Sequence, residues 1–211
     1  MSWSAFAHYW RARNKLAVTP DEQVSSHWRA YLRSMERTGE PFGFGTLAER
    51  GIRSRIDGLV SVFCQLVAVP QAGVLRRLRD AVRLTRAAQL RFTQDALRQI
   101  YTINFLELYG VLPETGGTLV VIGDGFGLLT ALLRRARRAA TIVAIDLPQM
   151  LQYQRRTVGE AGVVFCEADN AADLPLTSVD LAINIASMQE MNPAIVSNYF
   201  RLLRRWRTKV F

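Results

Sequence analysis

Cysteine, histidine and lysine are scarce in this chain, with two of each among 211 residues. Cys64 and Cys166 lie far apart, each inside an apolar stretch. That excludes a disulfide framework and a zinc site, and two buried free thiols are expected. His8 and His27 each stand beside aromatic residues, which suits packing or a binding wall equally, and neither belongs to a catalytic motif. With Lys15 and Lys209 the only lysines, arginine carries almost all of the formal net charge of +9. Such a balance is compatible with nucleic acid, an anionic membrane or an acidic substrate. No dense basic run interleaved with aromatics is present, so no nucleic-acid partner is expected. Long apolar runs are also missing. The longest, Leu59 to Val69, holds Ser61 and Gln65 and is too short to span a bilayer, and Met1 to Arg13 lacks a signal-peptide core. No membrane partner is expected, and the expected location is the reducing cytoplasm. Repeats and low-complexity segments are absent.

What the chain does have is apolar material: 49% of its residues are hydrophobic and 21% charged, enough for a substantial core. Residues 1–113 read as an all-helical region. Thr19-Pro20-Asp21-Glu22 and Thr46-Leu47-Ala48-Glu49 are capping-box starts. Glu40 to Gly45 is too rich in breakers for anything but a loop. Gly73 to Arg91 predicts an amphipathic helix with Val74, Leu78 and Val82 among arginines, and Asp95 to Tyr109 predicts another, stopped by Gly110. The arginines Arg76, Arg77, Arg79, Arg83 and Arg86 suit a solvated face better than an anionic ligand.

From Glu114 the pattern becomes strand–helix alternation, so residues 114–211 form the second unit. Strands are expected at Thr118 to Ile122, Thr141 to Ile145, Val163 to Cys166 and Leu181 to Ile185, with a fifth beginning at Thr208 to Phe211. Near-continuous apolar strands fit a parallel sheet covered on both faces. Asn192 predicts a helix cap with Pro193 behind it. The organising stretch is Val120-Val121-Ile122-Gly123-Asp124-Gly125-Phe126-Gly127, a buried strand, a tight turn and a helix start. Asp146 and Asp169 follow the second and third strands, so both fall on the edge that carries Gly123, Gly125 and Gly127. In doubly wound sheets that edge binds ligand.

A carboxylate about twenty residues beyond the glycines suits ribose hydroxyls, whether of a dinucleotide or of S-adenosyl-L-methionine. The loop favours the second. Its third glycine comes one residue earlier than in dinucleotide fingerprints, and Asp124 within it would repel a pyrophosphate. An ammonium or sulfonium would suit Asp124, although an aspartate there also supports a turn by itself.

These stretches, with Ile145-Asp146-Leu147-Pro148-Gln149-Met150 and Asp180-Leu181-Ala182-Ile183-Asn184-Ile185-Ala186-Ser187-Met188-Gln189-Glu190-Met191, resemble class I S-adenosylmethionine-dependent methyltransferases, and more narrowly the sugar O-methyltransferase family. The resemblance covers about Leu119 to Arg205. It implies an α/β fold with a Rossmann-like sheet, and a helical region that covers the acceptor site. It implies that Gly123, Gly125 and Gly127 shape the pocket for the donor's methionine end, that Asp146 takes the ribose, and that Asp169 or Asn170 meets the adenine amino group. Ser187, Met188, Gln189 and Met191 would border a small-molecule sugar or glycoside acceptor. O-methylation needs a base, and Glu190 after the fourth strand is the candidate, a structural ion pair or hydrogen bond being its other reading. Two departures stand out. Val121 occupies the place where many class I enzymes have an acid. The sheet also stops at its fifth strand where the family has seven, so the chain reads as C-terminally truncated. Marginal stability, no detectable turnover and poor burial of Trp206 and Phe211 are expected from that. The competing readings are a non-catalytic remnant binding a nucleoside or partner protein, and an NAD-type oxidoreductase.

Overall fold

The computed structural model describes residues 59–60, 62–63, 73–90, 92–159 and 161–211. His8, His27, Cys64, both capping boxes and the 40–45 loop lie outside them. The described elements are α1 (Val74–Ala87), α2 (Gln94–Leu108), β1 (Thr118–Ile122), α3 (Leu128–Ala136), β2 (Thr141–Asp146), α4 (Pro148–Val158), β3 (Val163–Glu167), β4 (Leu181–Asn184) and α5 (Pro193–Arg205). Two short 3₁₀ turns, Ala168–Asp173 and Met188–Glu190, follow β3 and β4. The sequence reading missed both, because such turns carry no hydrophobic period.

All four strands are parallel, in the order β3-β2-β1-β4. The chain winds outward from β1 through β2 to β3, then crosses back so that β4 pairs with the other side of β1. The order therefore reverses at β1, and the crevice beyond the C-terminal ends of β1 and β4 is the topological switch point.

Burial follows the strand period of two. Leu119, Val121, Ile142, Ala144, Leu181 and Ile183 face α1, α2 and α3. Val120, Ile122, Val143, Ile145 and Ala182 face Tyr199, Leu202, Leu203 and Trp206 at α5. The strands therefore read as continuous apolar runs because both faces are covered. α3 buries Leu128, Leu129, Leu132 and Leu133, as its spacing predicts. The helices α1 and α2 join the same core as the sheet, through Val74, Leu97 and Ile100. An ion-pair group strengthens that junction: Glu107 of α2 meets Arg77 of α1 and, at 3.2 Å, Arg137 just beyond α3.

Asn192 caps α5 by accepting the Ala194 N–H at 2.9 Å, with Pro193 behind it as expected. The tail runs beside β4: the Ala182 N–H donates to the Val210 carbonyl at 2.9 Å, and Leu181 and Val210 form a parallel bridge. This single bridge stands where the fifth strand was expected. Trp206 corrects the sequence reading. It is fully buried, at 0% exposure, in the apolar cluster that α5 shares with β1, β2 and β4. Phe211 does stay exposed, with its ring edge-on to Phe200. Among the described residues no helix is long and apolar enough to cross a membrane.

Candidate functional site

The site begins where β1 ends. Gly123, Gly125 and Gly127 all take positive φ, at 71°, 65° and 86°. The alternate spacing of the glycines therefore follows from backbone shape, since residues with a Cβ rarely adopt this region. Space is equally restrictive at the first and third. A Cβ on Gly123 would stand 2.6 Å from Ser187 Cβ and closer still to its hydroxyl, and one on Gly127 would stand 3.0 Å from Gln154 Cα.

Two carboxylates support this loop from within. Asp124 turns towards α3 and accepts the Leu129 and Thr130 N–H groups at 3.1 and 2.7 Å, satisfying donors that the first turn of a helix leaves open. Asp146, at the end of β2, accepts the Gly125 N–H at 2.9 Å, the Leu147 N–H at 2.8 Å and the Gln154 amide at 2.7 Å. Both are buried, at 9% and 8% exposure. Among the described residues neither has a cationic partner. Burial pushes the Asp124 pKa up to about 6, against the pull of its bonds to Thr130 and Leu129. Burial, helped by the neighbouring Asp124 charge, pushes that of Asp146 up to about 7.

Two amide side chains absent from the sequence reading hold the loop from either side. Gln154 of α4 is fully buried and donates to the Gly125 carbonyl at 3.1 Å as well as to Asp146. Asn184, the last residue of β4, donates to the Ile122 carbonyl at 2.8 Å and to the Ser187 hydroxyl, and accepts the Met188 N–H at 3.1 Å. Gln154 has no sequence signal, since its role depends on which helix face meets the loop. Asn184 had a faint one, a lone amide closing an apolar strand.

The remaining sequence candidates gather on the same edge. Asp169 and Asn170 lie exposed in the 3₁₀ turn after β3, whose last residue, Glu167, is in register with Asp146. Asn170 opens onto a cleft of about 490 Å³ at the β3 edge, shared with Pro148, Leu151, Phe165 and Asp173. Met188, Glu190 and Met191 are half-buried and Gln189 is exposed. Glu190 makes no ion pair among the described residues. Cys166 is a buried free thiol, and burial pushes its pKa up to about 11. Among the described residues no group of three His, Cys, Asp or Glu side chains is arranged to hold a metal.

No family model matches the chain, and no curated protein matches it. Among solved structures it is similar to an S-adenosylmethionine-dependent methyltransferase from Mesorhizobium loti, at 27% identity over 48% of this chain and 47% of that one, with a TM-score of 0.38. It is also similar to phosphoethanolamine N-methyltransferase 1 of Haemonchus contortus, solved with phosphoethanolamine and S-adenosylhomocysteine. There the identity is 18%, over 64% of this chain and 31% of that one, with a TM-score of 0.40. A third is the S-adenosylmethionine-dependent methyltransferase SibL, at 17% identity over 72% of this chain and 52% of that one, with a TM-score of 0.36. The chain thus spans about half the length of these proteins or less. None of these likenesses fixes what this chain binds.

Proposed function

We propose that this chain binds S-adenosyl-L-methionine across the ends of β1, β2 and β3 and transfers its methyl group to a hydroxyl of a sugar or glycoside. The observation that carries the donor assignment is the pair Asp124 and Asp146, buried at the glycine loop with no cationic partner among the described residues. A pyrophosphate placed there would meet two carboxylates in a poorly screened site. A ligand with an ammonium and a sulfonium supplies the missing positive charge. This favours the methyl donor over a dinucleotide.

The residues then divide the work. Gly123, Gly125 and Gly127 leave room for the methionine end. An ionised carboxylate has about four acceptor sites. Asp146 uses three of them internally, leaving one for a ribose hydroxyl. Asp169 and Asn170, exposed and on the same edge, meet the adenine amino group. The bound donor supplies an electrophilic methyl on sulfur, and the protein's contribution is chiefly alignment. Ser187, Met188, Gln189 and Met191 border the acceptor, and Glu190, which makes no ion pair among the described residues, takes the hydroxyl proton.

Calorimetry with S-adenosylmethionine and with NAD tests the donor. The first binds and the second does not; the reverse result would overturn the reading. Asp169→Ala, which breaks no side-chain hydrogen bond or ion pair among the described residues, weakens donor binding by about 1–3 kcal/mol at unchanged stability. Incubation with a panel of sugars and glycosides, read by mass spectrometry, tests the acceptor. Glu190→Gln abolishes product while leaving donor affinity intact.

A further inference from the structure

We propose that Asn184 is a positioning residue of this site, latching segment 185–191 onto the first glycine turn and so fixing the space for the amino-acid end of the methyl donor. This rests on the donor assignment above, and it adds a residue that neither the glycine motif nor the acidic positions include.

Asn184 stands at the switch point, in register with Ile122 on the neighbouring strand. Its side chain is used from both ends. Both amide hydrogens are taken, one by the Ile122 carbonyl at 2.8 Å and one by the Ser187 hydroxyl, while its oxygen receives the Met188 N–H at 3.1 Å. One amide therefore ties the last residue before Gly123 to two residues of the segment after β4. The chain between these anchors is bent hard: Ala186 sits at φ 65°, where residues with a Cβ are uncommon. Such a conformation persists only where surrounding bonds hold it. The consequence falls on Gly123. Ser187 packs directly over its α-carbon and donates to the Ile122 carbonyl at 3.3 Å, and the Met191 methyl lies 3.7 Å from where a Gly123 side chain would begin. Ser187 and Met191 thus form the wall above the first glycine, and Asn184 sets how far that wall stands off. It acts through Ser187 and the turn, and at the methionine end only. The adenine end lies across β2, at Asp169 and Asn170.

The test compares Asn184→Ala and Asn184→Asp with the unmodified chain. The aspartate retains an acceptor for the Met188 N–H but cannot donate to Ile122. Calorimetry uses two probes, S-adenosylhomocysteine and adenosine. Both variants should lose about tenfold in affinity for S-adenosylhomocysteine, the worth of roughly one buried hydrogen bond, and keep their adenosine affinity. Amide exchange without ligand should rise in Gly123–Gly127 and residues 186–191 and stay unchanged in β2 and β3. Equal loss for both probes would reduce Asn184 to a fold-holding residue and overturn the proposal. So would unchanged S-adenosylhomocysteine affinity, or unchanged exchange at the glycine loop. If the unmodified chain binds neither probe, the donor assignment fails and the methionine-end role falls with it; the exchange result then decides the latch separately.

Discussion

At the scale of single residues, the unusual feature is two aspartates buried around one turn with no cationic partner among the described residues. Their chemistry has a measurable sign. In the unfolded chain both titrate near the ordinary carboxylate value of about 4. In the folded, ligand-free chain burial holds Asp124 at about 6 and Asp146 at about 7. Between those limits the folded state binds the extra protons, so stability is fully present below about pH 4 and declines as pH rises towards 7. Thermal melts without ligand should therefore give a higher Tm near about pH 5 than near about pH 8, and Asp146→Asn should flatten the slope. A Tm that rises over that interval in the unmodified chain and not in Asp146→Asn would contradict this assignment. A neighbouring prediction concerns shape. Gly127→Ala must hold φ 86° and push against the Gln154 backbone at 3.0 Å, so it should cost about 1–3 kcal/mol by denaturant unfolding. A neutral result would mean that the turn relaxes without consequence.

At the scale of elements, the helices before the sheet are tied in by charge as well as by apolar contact. Arg77 is buried, at 6% exposure, and Glu107 lies between it and Arg137. Burial, with Arg76 and Arg137 close by, pulls the Arg77 pKa down. Removing one partner of such a pair leaves an uncompensated buried charge, a loss of about 3–5 kcal/mol. Glu107→Ala should therefore lower Tm strongly. Adding Arg77→Met should recover part of the loss, since the stranded charge is then gone. Failure of the second change to recover anything would show that Glu107 acts through packing. The other helix arginines fit the sequence reading of a solvated face: Arg76, Arg79, Arg83 and Arg86 are all exposed on α1.

At the scale of the whole molecule, the open question of the sheet is its β4 edge. Residues beyond α5 partly answer it. The Lys209 N–H donates to the Val179 carbonyl at 2.9 Å, its ammonium meets Asp180 at 2.6 Å, and Val210 takes the Ala182 N–H. Asp180 also accepts the Thr118 N–H at 2.8 Å, so the tail, β4 and the start of β1 meet at one carboxylate. The bond from Lys209 holds the Asp180 pKa below its usual value. Deleting Thr208 to Phe211 should expose unpaired β4 backbone, an aggregation template. Light scattering should increase and Tm fall relative to the full chain. An unchanged, monodisperse deletion would show that the tail covers nothing of consequence.

Much of this arrangement was legible before any coordinates. Strand and helix identities from Thr118 onward, the Asn192 cap, the parallel sheet and the shared edge of Gly123, Asp146 and Asp169 follow from hydrophobic period, turn chemistry and chain order. Those are local or topological signals, and a linear sequence carries them in full. Side-chain direction is different, because it depends on which residue of another element stands opposite. Asp124 was readable as either a ligand group or a turn support, and only the neighbouring Leu129 and Thr130 N–H groups show where its carboxylate goes. Trp206 was expected to be poorly buried from an incomplete sheet; its burial depends on the apolar cluster that α5 shares with the strands. Gln154 and Asn184 carried no decisive local pattern, since their bonds reach Gly125 and Ile122, brought near only by the crossing of parallel strands. Local physics thus determined the elements and the edge on which the site sits. Only the tertiary structure decided which polar groups spend their hydrogen bonds inside the protein and which remain available at the ligand edge.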